Sequence, residues 1–172
     1  MKTLINSFVV ALVALFTVSI SANAQNKDGN TLEGVWIFEK YHVDGKENAT
    51  LPREGLSSVK IYGKNGEYCC AQIVKDNGNG VIKVKPHEYG TYSYKNGKYM
   101  ECGRECGDEA IIFTGKNSFK GRFLNRYEFW VRNTNFPEEL RKHILNACKA
   151  ACAGDWDVKT QTLLKNHILY KK

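Results

Sequence analysis

Two Asn-Gly dipeptides, Asn65-Gly66 and Asn96-Gly97, constrain the fold of this chain more than any other feature. Each lies between segments in which apolar and polar residues alternate, "SSVKIYGKNGEYCCAQIV" and "EYGTYSYKNGKYMECG". Asn and Gly tolerate the positive φ angles that both central residues of a type I′ hairpin turn require. The sequence therefore predicts two tight antiparallel hairpins, each with a two-residue Asn-Gly turn.

The chain between Val35 and Arg132 continues this pattern of short strands separated by turn residues. We count about eight such segments, each of about four to eight residues, in sequential hairpin order. Short strands at regular spacing are typical of sandwiches and barrels, and the hairpin order favours the barrel. We predict a mostly β fold built as an eight-stranded antiparallel up-and-down barrel.

The segment "NFPEELRKHILNACKAACAG" has a different pattern, with apolar residues three and four positions apart. Pro137 precedes two glutamates, and Gly154 follows the last apolar residue, an arrangement typical of the two ends of a helix. We therefore predict one C-terminal helix over about residues 137–153. The segment "NHILYKK" predicts a short final strand after it.

Residues 1–24 have the three parts of a secretory signal peptide. Lys2 precedes an apolar centre, and Ala22-Asn23-Ala24 supplies the small residues of a cleavage site. The apolar centre is shorter than the roughly 20 residues that cross a bilayer, which favours a signal peptide over a membrane anchor. We expect cleavage after Ala24 and a periplasmic or secreted protein without a membrane span.

The rest of the chain predicts one domain of ordinary size, with a flexible segment over residues 25–33 and a barrel domain over residues 34–172. The formal net charge is +7, but the Lys and Arg residues are scattered along the chain. Nucleic-acid binders instead concentrate their basic residues in a run or patch. We therefore expect no nucleic-acid partner.

Gly34-Val35-Trp36 opens the first predicted strand. A Gly-x-Trp at this place, an eight-strand meander, a helix after it and a short last strand together resemble the lipocalins and the wider calycin superfamily. With the signal peptide, the hairpin "YGTYSYKNGKYME" is similar to lipocalin-like domains of unknown function in exported Gram-negative proteins. The resemblance implies that Trp36 packs across the closed end of the barrel, covered by Arg126 or Arg132. The alternative is that Trp36 is an ordinary core aromatic residue.

The second hairpin supplies the candidate ligand-binding residues. Pairing around Asn96-Gly97 places Tyr94 opposite Tyr99 and Tyr92 opposite Glu101, so these four side chains share one face of the sheet. If that face points inward, it suits a ligand with a ring or sugar face and a few polar groups. If it points outward, the tyrosines are cross-strand pairs on a surface hairpin. The sequence leaves both orientations open.

Four of the six cysteines, Cys102, Cys106, Cys148 and Cys152, are candidates for disulfides. The first two flank a predicted turn and the last two share one face of the predicted helix, so bonds within the first pair or between the pairs are open. Free thiols, or a zinc site of four thiolates, are the alternatives. Zinc knuckles usually have two residues between ligands, whereas each of these pairs has three, and no His stands beside them, so we predict no metal. We also expect no other cofactor.

These features predict a non-catalytic binding function. An eight-stranded barrel can hold one small ligand, so the first hypothesis is an exported lipocalin-like protein that binds a small apolar or aromatic and polar ligand. The second is an interaction or inhibitor module with a filled barrel, whose partner is an envelope protein or a glycan. A hydrolase that uses Glu101 is the least favoured, because Glu101 has no second carboxylate at a recognisable spacing.

Overall fold

A computed structural model of the chain describes residues 29–75, 81–95, 98–103, 106–152 and 168–171. These residues form ten strands and one helix. In chain order, the elements are β1 (Gly34–Val43), β2 (Leu56–Tyr62), β3 (Glu67–Lys75), β4 (Val81–Lys95), β5 (Lys98–Cys102), β6 (Cys106–Glu109), β7 (Ile111–Gly115), β8 (Ser118–Phe123), β9 (Arg126–Arg132), α1 (Glu138–Cys152) and β10 (Ile168–Lys171). The predicted mostly β fold with one helix is confirmed.

Several predictions concern residues outside the described ranges. They are the signal peptide over residues 1–24 with its cut after Ala24, most of the flexible segment over residues 25–33, the Asn96-Gly97 turn and the chain between α1 and β10. Within the described part of the chain, no helix combines the length and apolar character that a membrane crossing needs.

All strands belong to one antiparallel sheet. Its order is β6-β5-β4-β3-β2-β1-β9-β8-β7, and β10 pairs with the first residues of β4. Consecutive strands are neighbours from β1 to β6 and from β7 to β9, as sequential hairpins predict, whereas β1 pairs with β9 and β6 does not pair with β7. The helix begins directly after Pro137 and places its first-turn acids Glu138 and Glu139 at the positive end of the helix dipole.

The first hairpin turn differs from the predicted two-residue type I′ turn. The Gly66 amide donates to the Gly63 carbonyl at 3.2 Å, and the Gly63 amide donates to the Glu67 carbonyl at 2.8 Å. Of the residues between them, only Gly66 has a positive φ, 79°. A turn that ends in one left-handed glycine is the three-residue hairpin connection, which needs positive φ at one residue instead of two.

The sheet curls until strands far apart in its order come into contact. Tyr94 of β4 and Phe113 of β7 lie six strands apart along the sheet. In a flat sheet with about 4.8 Å between strands they would be about 29 Å apart, yet their ring centroids are 5.8 Å apart. The curl therefore encloses one face of the sheet as a concave interior.

The predicted closed barrel of eight strands is corrected to a curled half-barrel with more strands. The two ends of the sheet, β6 and β7, are separated in sequence only by Ala110. At this residue the chain changes the strand with which it pairs. β6 pairs with β5, whereas β7 pairs with β8. The Ala110 carbonyl already accepts from the Arg122 amide of β8, at 3.0 Å. The ends of the sheet thus meet in one bent segment instead of a continuous ladder.

Alternation along the strands sorts the core into two clusters. Val59 and Ile61 of β2 face α1. Lys60 and Tyr62, which alternate with them along the strand, face the concave interior. We call the interior set the aromatic cluster; its buried members are Leu32, Trp36, Tyr62, Tyr68, Tyr92, Tyr94, Tyr99, Ile111, Phe119 and Trp130. The set beneath the helix is the aliphatic cluster, and its buried members are Val35, Val59, Ile61, Cys69, Ala71, Ile73, Val84, Leu140, Ile144, Ala147 and Cys148.

Gly90 of β4 is required by a close backbone approach. A Cβ atom at Gly90 would lie 1.8 Å from the carbonyl oxygen of Cys102. We expect Gly90→Ala to lower the free energy of unfolding by about 1–3 kcal/mol, because two paired strands would have to separate. Gly107→Ala is the matched control, since a Cβ there meets nothing within 4 Å. Equal urea midpoints for the two variants would contradict the predicted close approach.

Candidate functional site

Trp36 belongs to the aromatic cluster and has no exposed surface. Its indole Nε1 donates to the Leu32 carbonyl at 2.6 Å, and its ring packs edge-on against Phe119 with centroids 4.6 Å apart. The guanidinium of Arg132 lies 4.5 Å over the Trp36 ring and donates to the backbone carbonyls of Glu33 and Thr31. A guanidinium on an aromatic face keeps its donors available while it covers the ring.

Gly34 leaves room for this arrangement, with φ at 128° and Arg132 Nη1 only 3.2 Å from where a Cβ would be. The structure thus brings three of the four predicted barrel-closing residues together, namely Gly34, Trp36 and Arg132. Arg126 lies elsewhere, where it donates from Nη2 to Glu128 at 2.7 Å.

The four predicted ligand-binding residues point into the concave interior. Tyr94 pairs with Tyr99 and Tyr92 with Glu101, which is the register that the hairpin pattern predicts. The three tyrosines are at most 5% exposed. Tyr92 donates to the Gly63 carbonyl at 3.0 Å, which fixes its ring inside the aromatic cluster. These side chains are therefore packed inside the aromatic cluster instead of lining an open space.

Glu101 accepts three hydrogen bonds at one oxygen, Oε1. The Lys60 ammonium donates at 2.9 Å, the Tyr62 hydroxyl at 3.0 Å, and the Tyr99 hydroxyl donates to the same atom. The Lys60 and Glu101 side chains are 8% and 11% exposed, so the ion pair lies in the core. A buried carboxylate needs such charge-assisted partners to offset the loss of its hydration.

Burial raises the pKa of Tyr62 and of Tyr99 well above the ordinary value of a phenol. Both phenols thus stay protonated across the physiological range and can donate to the carboxylate. The hydroxyls also lie 2.8 Å from each other. The arrangement locks β2, β5 and the Glu101 carboxylate into one polar network.

Lys60 is the residue of this candidate site that the sequence analysis missed. It occupies an inward position of β2, two residues before Tyr62, with its ammonium 5.3 Å from the Trp130 ring centroid. The alternation in "SSVKIY" already places Lys60 and Tyr62 on the same face. That signal would have identified a buried lysine once Tyr62 was known to face inward.

A cavity of about 270 Å³ opens beside this network, between β1, β2, β3 and β9. Three rings line it, those of Phe38, Tyr41 and Trp130. Phe38 packs edge-on against Trp130 with centroids 5.3 Å apart, so the rings form a continuous wall. We call this space the aromatic cavity.

Polar groups lie at defined points of the aromatic cavity. Ser58 and Lys60 of β2 and Cys70 of β3 face it from one side, and Arg126 and Glu128 of β9 from the other. Arg126 donates to Glu128 from Nε at 3.1 Å and from Nη2 at 2.7 Å, which orients both side chains. An aromatic wall with a few placed polar groups is the usual composition of a small-molecule site.

A second and larger space, about 520 Å³, is an open groove between the β2–β3 hairpin and the start of α1. Charged residues dominate its rim, and they already pair with one another: Glu138 with Arg141 at 2.8 Å and Glu33 with Lys64 at 3.9 Å. Among the residues that line this groove only Tyr62 is aromatic, so the groove lacks the wall of rings that the aromatic cavity has.

Glu88 of β4 lies at the edge of the interior network. Its carboxylate accepts from the Tyr68 hydroxyl at 3.4 Å. Burial raises the pKa of Glu88, and the nearby Glu101 carboxylate raises it further. When folding raises the pKa of an acid, the protonated acid stabilises the folded state at pH values below its pKa in the unfolded chain. That stabilisation is lost as the pH rises through the pKa of the folded state.

We therefore expect Glu88→Gln to be more stable than the parent protein at neutral pH. The advantage should shrink as the pH falls to about 4, because the parent carboxyl then becomes protonated. Urea unfolding across this range measures it. Glu138→Gln is the control, and its effect on stability should depend on pH in the opposite direction, because a hydrogen bond from Arg141 lowers the pKa of Glu138. A stability advantage of Glu88→Gln that does not change with pH would contradict the prediction.

The candidate cysteines lie in two separate places. Cys102 and Cys106 are within disulfide-bonding distance, with sulfurs 2.16 Å apart. Cys148 and Cys152 are buried on the sheet-facing side of α1. Among the described residues, no group of three or more His, Cys, Asp or Glu side chains is arranged to hold a metal ion.

Neither a protein-family model nor a curated protein sequence matches the chain.

Proposed function

We propose that this protein is a non-catalytic, lipocalin-like binder of a small ring-containing ligand, which it holds in the aromatic cavity. The observation that supports the proposal is the volume of the cavity, about 270 Å³, beside the rings of Phe38, Tyr41 and Trp130. An apolar cavity of about 150 Å³ holds benzene. The aromatic cavity therefore suits a molecule of one or two rings.

The polar groups of the cavity define the second property of the ligand. Ser58 and Lys60 supply hydrogen-bond donors at the inner side, close to the Glu101 network. A carboxylate, phenolate or carbonyl on the ligand would accept from these donors while its ring packs on Trp130. With a cleaved signal peptide, such a protein would bind its ligand in the periplasm or outside the cell.

A second candidate function is an envelope interaction or inhibitor module that acts through its surface. The packing of the predicted ligand-binding residues favours it, because Tyr92, Tyr94 and Tyr99 are at most 5% exposed inside the aromatic cluster. In this case the aromatic cavity would stay empty, and a protein or glycan partner would bind elsewhere.

Titration with 2-naphthoate, a two-ring carboxylate, tests the first proposal. We expect saturable one-to-one binding to the parent protein by calorimetry. Ser58→Phe fills the cavity and should weaken binding at least about tenfold, or about 1.4 kcal/mol. Ser57→Phe is the matched control, because Ser57 pairs with Ile73 of the aliphatic cluster and lies on the opposite face.

Equal binding by Ser58→Phe and the parent protein would overturn the assignment of the site. Native mass spectrometry of the purified protein adds an independent measurement. A bound small molecule that is present in the parent protein and absent from Ser58→Phe would support the proposal. Absence of both bound molecule and saturable binding would favour the second candidate function.

A further inference from the structure

Cys148, one of the predicted disulfide candidates, and Cys69, which is outside that set, face each other across the junction of sheet and helix. Cys69 of β3 belongs to the face that carries Ala71 and Ile73, and Cys148 belongs to the buried face of α1. Both residues have no exposed surface. Their thiols therefore meet inside the aliphatic cluster, where the helix packs on the sheet.

The contacts of the two sulfurs place them close together. Cys69 and Cys148 both belong to the aliphatic cluster, and the neighbouring Cys148 raises the pKa of the Cys69 thiol. The Cys148 thiol also donates to the backbone carbonyl of Cys70, the residue next to Cys69, at 3.5 Å. This contact holds Cys148 against the short segment of β3 that contains Cys69.

The remaining thiols are less well placed. Cys70 pairs across the sheet with Lys60 and lines the aromatic cavity, so its side chain lies on the opposite face from α1. Cys152 lies one helical turn after Cys148, where a regular helix does not allow a bond between the two. Cys69 is the thiol that meets Cys148.

We propose that Cys69 and Cys148 form a disulfide that joins β3 to α1 when the chain folds in the presence of a disulfide oxidant. The oxidant is a small disulfide such as oxidised glutathione, or a disulfide-bearing oxidoreductase. One cysteine thiolate attacks the oxidant and releases one thiol, and the second thiolate then attacks the mixed disulfide and releases the other. The chain loses two hydrogen atoms, and the oxidant is reduced to two thiols.

The position of the pair determines when this reaction occurs. The neighbouring Cys148 side chain, together with burial, raises the pKa of Cys69, so the folded protein holds little thiolate. Neither sulfur is accessible to an oxidant once α1 has docked. Oxidation should therefore be fast during folding and slow in the folded, reduced protein.

Oxidative refolding of the full chain tests the proposal. The denatured, reduced chain is refolded with oxidised and reduced glutathione, its free thiols are alkylated in denaturant, and its peptides are mapped without reduction. We expect a crosslinked pair of peptides that contain Cys69 and Cys148, and a higher melting temperature than for the reduced chain. A Cys102→Ser/Cys106→Ser background isolates this bond, and there the oxidised chain should still lose two hydrogen atoms.

Single alanine variants provide the controls. Cys69→Ala and Cys148→Ala should lose the crosslink, whereas Cys70→Ala and Cys152→Ala should keep it. Alkylation of both Cys69 and Cys148 after oxidative refolding, or a crosslink of either one to another cysteine, would overturn the proposal. The peptide map of the parent chain decides this even if a variant fails to fold.

Discussion

Replacing Trp36 with alanine should lower the free energy of unfolding by about 3–5 kcal/mol, as expected for a large aromatic side chain lost from a core. The indole is fully buried, and it contacts Phe119, Phe113 and Arg132. Its removal takes away the hydrogen bond to the Leu32 carbonyl and leaves a cavity at the end of the curled sheet. Urea unfolding followed by far-ultraviolet circular dichroism measures the loss.

Two further variants separate the specific effect of Trp36 from a general effect of losing an aromatic ring. Trp36→Phe keeps part of the buried area and should lose less stability than Trp36→Ala. Phe123→Ala removes a ring that is 41% exposed and should cost less than about 1 kcal/mol. A loss below about 1 kcal/mol for Trp36→Ala would show that this indole does not close the end of the interior.

Replacing Glu101 with leucine should also cost about 3–5 kcal/mol, because the Lys60 ammonium would remain buried without its carboxylate. The Tyr62 and Tyr99 hydroxyls would lose the acceptor that both now share. Loss of one partner of a buried pair is more costly than loss of both. The double variant Lys60→Met/Glu101→Leu should therefore be more stable than Glu101→Leu alone.

An exposed ion pair gives the comparison for this prediction. Glu139 and Lys142 of α1 lie 3.3 Å apart with side chains 76% and 57% exposed. Glu139→Leu should change the stability by less than about 0.5 kcal/mol, because water screens the pair. If Glu101→Leu were as mild as Glu139→Leu, or if the double variant were the least stable, the buried pair would not have the assigned role.

Local pattern was sufficient to predict the register of the second hairpin. Tyr94 pairs with Tyr99 and Tyr92 with Glu101, because a tight turn and strict alternation leave one register. The first hairpin shows the limit of the same argument. An Asn-Gly dipeptide fits two kinds of turn, and the chain adopts the one in which only Gly66 has a positive φ.

The partner of Glu101 was not predictable from local pattern. Lys60 is 41 residues away in the sequence and belongs to a different hairpin. The two meet only because the sheet curls and both strands turn these residues to the same face. The Cys69–Cys148 contact arises in the same way, from the packing of α1 on β3.

The sequence by itself determined the mostly β composition, the hairpin order of the strands and the helix after them, because turn residues and hydrophobic periodicity act over a few neighbouring positions. The tertiary structure decided which face of the sheet is concave, how the ends of the sheet meet at Ala110 and which charged side chains share the interior. These properties depend on the summed twist and packing of many strands, so no short segment of the sequence specifies them.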